Sequence, residues 1–201
     1  DAPIVEVHPE SLARWSTHRH PPITPSPQEP PVPILPGAIR QNGYVVHDLD
    51  ATARWFASSM NIGPWICIRD MELDGFSHRG EPSRPKISIA LANSGDLQLE
   101  LIMPLDDQPS MYGEFLASGR EGLQHHAWWT EDYDTTVAAA EAAGWDVGQQ
   151  GDMGGTRFIY WDQGHLAAEL MESNDLNRWM FGQVREAADT WDGTTDPVRN
   201  F

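Results

Sequence analysis

The sequence predicts an α+β fold in which two βαβββ modules pair to form a cleft in a curved sheet. One observation is that short runs rich in β-branched and aromatic residues alternate with runs of helical spacing. The other is that the order strand, helix, three strands begins near residue 39 and starts again at Leu123. A repeat of this length is harder to obtain by chance than a short motif, so it decides the architecture.

Composition limits the classes of function. The chain has 201 residues, 40% of them hydrophobic, which is enough for one well-formed core. Its 13 basic residues stand against 30 acidic ones, for a net charge of -17, which excludes a nucleic-acid partner. No apolar run approaches the roughly 18 residues needed to cross a membrane. The single cysteine excludes a disulfide framework and a Cys-rich zinc site, and it predicts a cytoplasmic protein.

The chain divides into five predicted parts. Residues 1–36 form a proline-rich arm, which we expect to pack on the domain or on a partner subunit, with a disordered leader as the alternative. The first residue is Asp1, which leaves open a leader removed before it. The other parts are the first module at 37–104, a connector with a short helix at 105–121, the second module at 122–173, and a C-terminal helix and tail at 174–201.

The first module contains residue patterns that predict its strands and its helix. A strand is predicted at 43–47, and Asp48 and Asp50 mark the start of a helix that ends near Met60. Three more strands are predicted at 65–70, 86–92 and 97–103. Glycines and prolines between 74 and 85 predict a long loop that flanks a pocket.

The second module repeats these signals after a connector helix at 111–117. When Gln41 is placed against His125, the aspartates at the two helix starts fall into register. Each helix then ends at a glycine, and in each last strand a glutamate follows a glycine by five residues. A C-terminal helix at 174–189 follows, and its predicted apolar face consists of Leu176, Trp179, Met180 and Val184. This helix and the arm would be natural interface elements of a homodimer, and 192–201 is predicted to be a tail.

The repeat places four polar residues at equivalent positions. Each module contributes one residue at the start of its first strand, Gln41 or His125, and one in its last strand, Glu100 or Glu169. Taken alone, each is more often a solvated or hydrogen-bonded residue than a ligand. Together, an imidazole, two carboxylates and an amide oxygen suit one divalent metal ion, such as Zn, Ni, Co, Mn or Mg.

These motifs resemble the vicinal oxygen chelate superfamily, which includes glyoxalase I, methylmalonyl-CoA epimerase, extradiol dioxygenases and antibiotic resistance proteins. The resemblance rests on the runs at 41–50 and 122–127 and on the two strands that contain Glu100 and Glu169. It implies paired modules around one metal ion, with a ligand set like that of glyoxalase I. The connector at 111–116 looks more like the epimerase branch, and Gln41 breaks the two-histidine, one-carboxylate triad of extradiol dioxygenases.

Such a site predicts an isomerase, epimerase or lyase that removes a proton next to a metal-bound carbonyl. Glu169 is the predicted base and Glu100 its counterpart. A binding or sequestering protein on the same fold is the alternative, and a ring-cleaving dioxygenase is a further one.

The substrate is predicted to be a small, hydrophobic or aromatic molecule. The predicted substrate-binding residues are Tyr44, Trp65, His126, Trp129 and Phe158. A basic pocket for an anionic group would be assembled from Arg69, Arg79, Arg84, Lys86 and Arg157.

Overall fold

The computed structural model describes residues 33–164 and 166–201. Most of the predicted arm, residues 1–32, therefore lies outside the described residues, as does His165 in the second half of the repeat. At the start of the described chain, Ile34 and Leu35 pack against the second module. Among the described residues, no helix has the length and apolar character to cross a membrane.

The described chain contains four helices and eleven strands. The helices are α1 (Leu49–Met60), α2 (Met111–Ala117), α3 (Tyr133–Ala142) and α4 (Asp175–Asp189). The strands are β1 (Gln41–Val45), β2 (Trp65–Glu72), β3 (Asp74–His78), β4 (Glu81–Pro82), β5 (Lys86–Ser94), β6 (Leu97–Pro104), β7 (Gly122–Thr130), β8 (Val147–Asp152), β9 (Arg157–Asp162), β10 (Ala167–Glu172) and β11 (Val198–Asn200).

The strand order confirms the predicted fold class. One sheet runs β11-β2-β5-β6-β1-β7-β10-β9-β8-β3-β4. The first module supplies β2-β5-β6-β1 and the second supplies β7-β10-β9-β8, so the two orders mirror each other across the antiparallel pair β1 and β7. The two first strands therefore lie side by side at the centre, each flanked by the last strand of its own module.

The segment predicted as a loop at 74–85 contains β3 and β4 instead, so that prediction was wrong. Arg79 and Gly80 both adopt positive φ, at 49° and 84°, and turn the chain between these two strands. β3 pairs with β4 on one side and with β8 of the second module on the other. Because β2 ends at Glu72 and β3 begins at Asp74, the two ends of the sheet must come close together, and the sheet is strongly curled.

The inside of the curled sheet is closed by two helices from outside the modules. Tyr112 and Phe115 of α2, and Phe181 and Val184 of α4, join the same buried cluster as the inward residues of β5 and β9. The predicted apolar face of the C-terminal helix was partly wrong, because Leu176 and Trp179 are exposed. The buried face of α4 consists of Asn177, Phe181 and Val184.

The outside of the sheet is covered by α1 and α3. Under α1, Leu49, Ala53 and Phe56 pack on Trp65 and Leu101, and under α3 a second cluster forms around Trp161. The Asp48 carboxylate accepts a hydrogen bond from Ala51 N at 2.9 Å and caps α1 as predicted. The predicted tail is structured at 198–200, where β11 pairs with β2.

Candidate metal centre

Strand register builds the candidate centre from two rows of residues across the four central strands. One row contains Glu100, Gly43 and His125, on β6, β1 and β7. The neighbouring row, two residues along β1, contains Gln41, Ala127 and Glu169, on β1, β7 and β10. Residues two apart on a strand share a face, so both rows lie on one side of the sheet. The four residues singled out by the repeat thus come from four adjacent strands.

Three of these side chains meet in a buried cluster around the imidazole of His125. Its Nε2 lies 3.1 Å from Glu169 Oε2 and 3.6 Å from Glu100 Oε2. Single ligand atoms from Glu100, His125 and Glu169 lie within 4.8 Å of one another. All three residues are at most 3% exposed. The cluster is therefore compact and shielded from water.

Small residues make room for the cluster. A Cβ added to Gly43 would lie 1.8 Å from His125 Cε1 and 2.0 Å from Nε2, so the imidazole occupies the space above this glycine. Gly43 follows Gln41 by two residues and lies opposite His125. In the same way, Ala127 follows His125 by two residues and lies opposite Gln41. A glycine inside a strand often marks such a close approach, and this signal was present in the sequence.

Gln124 orients the imidazole. Its Oε1 lies 2.8 Å from His125 Nδ1, and because an amide oxygen only accepts, the proton of the neutral ring belongs on Nδ1. Nε2 is then left with its lone pair directed toward the two carboxylates. A hydrogen bond from the second ring nitrogen is the usual way in which a metal-binding histidine is held.

Gln41 presents an oxygen to the same region. Its Nε2 donates to Gln98 Oε1 at 2.8 Å, which leaves Gln41 Oε1 as the free end of the amide. Gln41 Oε1 and Glu169 Oε2 are both buried and have no hydrogen-bond partner among the described residues. Glu169 Oε2 is near Nε2 but lacks the alignment of a hydrogen bond. Unsatisfied buried acceptors are costly, so both atoms point to a missing donor or cation.

Electrostatics in the metal-free protein favour a charged histidine. Burial alone would lower the pKa of His125, but the nearby carboxylates of Glu100 and Glu169 outweigh burial and raise the pKa to about 9. Burial raises the pKa of Glu100, and the charge of Glu169 adds to this effect. Without an ion, these two raised pKa values favour retention of protons within the cluster.

The donor set fits a divalent cation. A neutral imidazole nitrogen, two carboxylates and one amide oxygen are hard or borderline donors that suit Mg, Mn, Co, Ni or Zn. The unsatisfied oxygens of Gln41 and Glu169 and the lone pair of His125 Nε2 are the atoms that such an ion would need.

Two buried tyrosines that the sequence analysis missed adjoin the cluster. Tyr160 OH lies 3.4 Å from His125 Nε2, and Tyr112 OH lies 3.1 Å from Tyr160 OH. Tyr160 faces Glu169 across the β9–β10 pairing, and Tyr112 is brought in by α2. Tyr160 shared its strand face with the predicted Phe158, which was a usable signal, whereas no local pattern indicated where α2 would dock.

The predicted substrate-binding residues divide between the two faces of the sheet. Phe158 and Trp129 belong to the inner cluster, and Phe158 packs edge-on against Tyr160 at 5.9 Å. Tyr44 and Trp65 pack under α1 on the outer face. His126 is also outward, with Nδ1 2.6 Å from Asn42 Oδ1. The structure therefore does not bring Tyr44, Trp65 or His126 to the cluster, because strand alternation turns their side chains away.

Two cavities lie at the cluster and beside it. A void of about 20 Å³, lined by Gln41, Glu100 and residues of α4, lies at the cluster itself. A larger cavity of about 540 Å³ lies next to it, and Asn177 and Phe181 of α4 line both. The arginines and lysine predicted to form a basic pocket lie elsewhere, and four of them form surface ion pairs: Arg69, Arg79, Lys86 and Arg157.

Known structures resemble this one. A Streptomyces coelicolor methylmalonyl-CoA epimerase variant with 2-nitronate-propionyl-CoA is 24% identical with a TM-score of 0.46, over 69% of this chain and 95% of that chain. Methylmalonyl-CoA epimerase from Mycobacterium tuberculosis is 20% identical with a TM-score of 0.48, over 70% and 91%. A hypothetical protein from Bacillus halodurans is 15% identical with a TM-score of 0.50, over 69% and 95%, which shows a common fold.

Sequence comparison identifies the family. No curated protein matches the sequence. A family model described as glyoxalase/bleomycin resistance protein/dioxygenase superfamily matches residues 40–160, which is more than half of the chain and includes Gln41, Glu100 and His125. Together with the paired modules and the strand order, this match shows that the chain belongs to the glyoxalase/bleomycin resistance protein/dioxygenase superfamily.

Proposed function

We propose that the protein is a metal-dependent isomerase or epimerase that moves a proton on the carbon next to a carbonyl group of a small substrate. The observation that carries this proposal is the buried cluster of Glu100, His125 and Glu169, with the buried, unsatisfied oxygen of Gln41 on the same face of the sheet. A cluster of this kind is expensive to bury unless an ion or a reaction uses it.

Gln41, Glu100, His125 and Glu169 would hold the ion. When bound, a divalent ion supplies Lewis-acid stabilisation of the negative charge that develops on a carbonyl oxygen. Gln124 keeps the lone pair of His125 Nε2 available, and Gln98 binds the amide nitrogen of Gln41 and so leaves its amide oxygen free for an ion. These two contacts orient the ligand candidates before any ion arrives.

The two glutamates supply the proton-transfer groups. Glu169 accepts the proton from the substrate carbon, because its Oε2 is buried and without a hydrogen-bond partner among the described residues. Glu100 lies in the other row, on the far side of Gly43 from His125, and returns a proton there. Burial of both carboxylates excludes bulk water, which strengthens their interaction with a bound substrate.

Metal content is the first test. The purified chain is stripped with a chelator, reloaded separately with Mn, Co, Ni and Zn ions, dialysed and analysed for bound metal. We expect one equivalent, lost in His125→Gln and retained in His126→Gln, whose side chain lies on the outer face. Absence of stoichiometric metal with every ion would remove the proposed chemistry and favour a binding protein.

Proton exchange is the second test. The loaded protein is incubated in D2O with thioesters, hemithioacetals and 2-oxo acids, and exchange at the carbon next to the carbonyl is followed by NMR. Glu169→Gln should slow exchange at least about 100-fold, since a positioned base contributes on that scale. Exchange at an unchanged rate would exclude Glu169 as the base, and carbon–carbon cleavage without exchange would indicate a lyase.

Two further expectations accompany this proposal. A homodimer is expected from the arm and α4, and light scattering of the purified chain measures it. A cytoplasmic location is expected from the single, buried Cys67, and fractionation of the source cells tests it.

A further inference from the structure

The cavity of about 540 Å³ beside the cluster contains a group of arginines in its wall. Three arginines, Arg40, Arg178 and Arg185, and two carboxylates, Asp96 and Glu131, line it. Arg178 and Arg185 each also pair with a carboxylate outside the lining, Asp175 or Asp189, so among the described residues the unpaired cation of this wall is Arg40. Clustered arginines in an acidic protein favour an anionic ligand at that place.

The charge of Arg40 is available to a ligand. Among the described residues, Arg40 forms no ion pair, although, after the hydrogen bond from Arg185, its charge contributes to the lowered pKa of Asp96. Its guanidinium lies 5.0 Å from the centre of the Trp129 ring. Stacking on an aromatic ring fixes the direction of a guanidinium and leaves its N–H groups free to donate. Arg40 therefore presents an oriented cation at the cavity.

The other two arginines form ion pairs only with exposed carboxylates. Arg178 pairs with Glu131 and Asp175, and Arg185 pairs with Asp96 and Asp189, at distances of 2.7 to 3.1 Å. Ion pairs to exposed carboxylates contribute little, since water screens them. An anion in the cavity can therefore take over some of these N–H groups.

Two buried N–H donors in the cavity wall also favour a ligand that carries oxygen atoms. Gln98 Nε2 and Trp129 Nε1 are buried, have no acceptor among the described residues, and belong to residues that line the cavity. A buried donor normally has an acceptor, so a ligand rich in oxygen would satisfy both groups. Gln98 is only 1% exposed, which makes its free amide a built feature of the cavity wall.

Gln98 also links the cavity to the cluster. Its Oε1 accepts from Gln41 Nε2, and this orientation leaves Gln41 Oε1 for the ion and Gln98 Nε2 for the cavity. The opposite orientation of both amides would present an N–H group to the ion, which repels it. Phe181 stacks on Trp129 with ring centres 4.6 Å apart and provides an apolar surface between the two sites.

We infer that this cavity binds the anionic group of a small organic substrate, with its apolar part against Trp129 and Phe181, while its reacting carbon reaches the cluster. Only the statement that the reacting carbon reaches the cluster rests on the proposed function. The chemistry required is a carboxylate or a phosphate on an apolar or aromatic body, because oriented arginines and N–H donors recognise both groups.

Benzoate, phenyl phosphate and the neutral benzyl alcohol are suitable probes. The full chain is labelled with 5-fluorotryptophan, the resonance of Trp129 is identified with Trp129→Phe, and each probe is titrated. We expect a saturable shift of this resonance with benzoate or phenyl phosphate and none with benzyl alcohol. The anion that binds with the higher affinity identifies the preferred anionic group as a carboxylate or a phosphate. Equal binding of the neutral probe, or no shift with either anion, would overturn the inference.

The matched variants are Arg40→Gln and Arg84→Gln, both at exposed positions. Arg40→Gln should weaken anion binding at least about tenfold, the usual effect of losing a charge-assisted hydrogen bond. Arg84→Gln, away from the cavity, should not change it. Equal affinity in both variants would overturn the role of Arg40.

Manganese binding measured on the same samples separates the two proposals. Anion binding without metal binding would overturn the proposed function and leave the cavity assignment standing. Metal binding without anion binding would overturn the cavity assignment and leave the proposed function standing. With both bound, Mn should broaden the phosphorus signal of phenyl phosphate, and an unbroadened signal would overturn the link between cavity and cluster.

Discussion

Gly43 shows how one residue controls the whole cluster. The imidazole of His125 occupies the position of a side chain at residue 43, with Cε1 1.8 Å from the site of a Cβ. Gly43→Ala should therefore displace the imidazole, destabilise the protein by about 2 kcal/mol through overpacking, and abolish metal binding. Urea unfolding and manganese titration measure the two effects.

Gly182→Ala is the matched control. Gly182 lies inside α4, and a Cβ there would meet no atom within 4 Å. Because alanine is the better helix former, this change should stabilise the protein by about 1 kcal/mol and preserve metal binding. Metal affinity in Gly43→Ala equal to that of the unchanged protein would show that the imidazole does not need this position.

Gln124 is expected to act only through His125. Gln124→Leu removes the acceptor at Nδ1, so the ring loses its fixed orientation and protonation. Metal affinity should fall by about 10- to 100-fold, as for other partners of metal-binding histidines, with the metal stoichiometry unchanged. The exposed Gln150→Leu on β8 is the control and should bind metal normally. Equal affinity in the two variants would contradict the orienting role.

At the residue level, the internal repeat predicted which residues lie together better than residue type did. Gln41, Glu100, His125 and Glu169 were found because a repeat relates them, and the register of four strands brings them to one face. Tyr44, Trp65 and His126 were chosen for their residue type. Aromatic residues cover both faces of this sheet, and only the strand register decides which face a given residue occupies.

At the level of elements, α4 determines access to the cluster. Its Phe181 is 8% exposed and stands between the small void at the cluster and the larger cavity. Phe181→Ala should destabilise the protein by about 3 kcal/mol, because it leaves a cavity in the core. It should also speed the uptake of Co ions by the metal-free protein, measured by stopped-flow absorbance.

Leu176→Ala in the same helix is the control for Phe181→Ala. Leu176 is 53% exposed, so its removal should change stability by less than about 0.5 kcal/mol and leave the rate of metal uptake unaltered. If Phe181→Ala took up metal no faster than Leu176→Ala, access would run along another path.

The elements predicted least well are those whose partners are distant in sequence. The glycine and polar residues of β3 are typical of a turn and predict a loop, whereas its strand form depends on pairing with β8, as in Ser77 with Gln150. The helix α4 was predicted, but its buried face was not, since Trp179 and Leu176 are as apolar as the residues that pack. Helix periodicity fixes which residues share a face and does not fix which face meets the core.

At the scale of the whole molecule, the metal-free protein holds a buried charge arrangement that depends on pH. The pKa of His125 is raised to about 9 because Glu100 and Glu169 outweigh the effect of burial, and the pKa of Glu100 is also raised. In both cases the folded state binds protons more tightly than the unfolded state. Stability from both groups therefore falls as pH rises, and none of it was predictable before the side chains were placed.

The sign and range of this effect can be measured. The contribution of His125 is complete below its unfolded pKa of about 6.5 and is lost as pH rises to about 9. In the presence of a chelator, the free energy of unfolding should fall by about 3 kcal/mol over this range, and His125→Gln should flatten the dependence. His126→Gln should not flatten it, because burial lowers the pKa of His126, and its contribution changes only at lower pH.

Saturating manganese should reverse the trend. An ion bound to His125 and the two glutamates replaces the proton, so metal affinity and the stability it adds both grow as protons leave. The free energy of unfolding with manganese should therefore rise from about pH 6.5 to 9, where that of the metal-free protein falls. Parallel pH profiles with and without manganese would show that proton and ion do not share one position, and the cluster would then be a buried hydrogen-bond network without a metal.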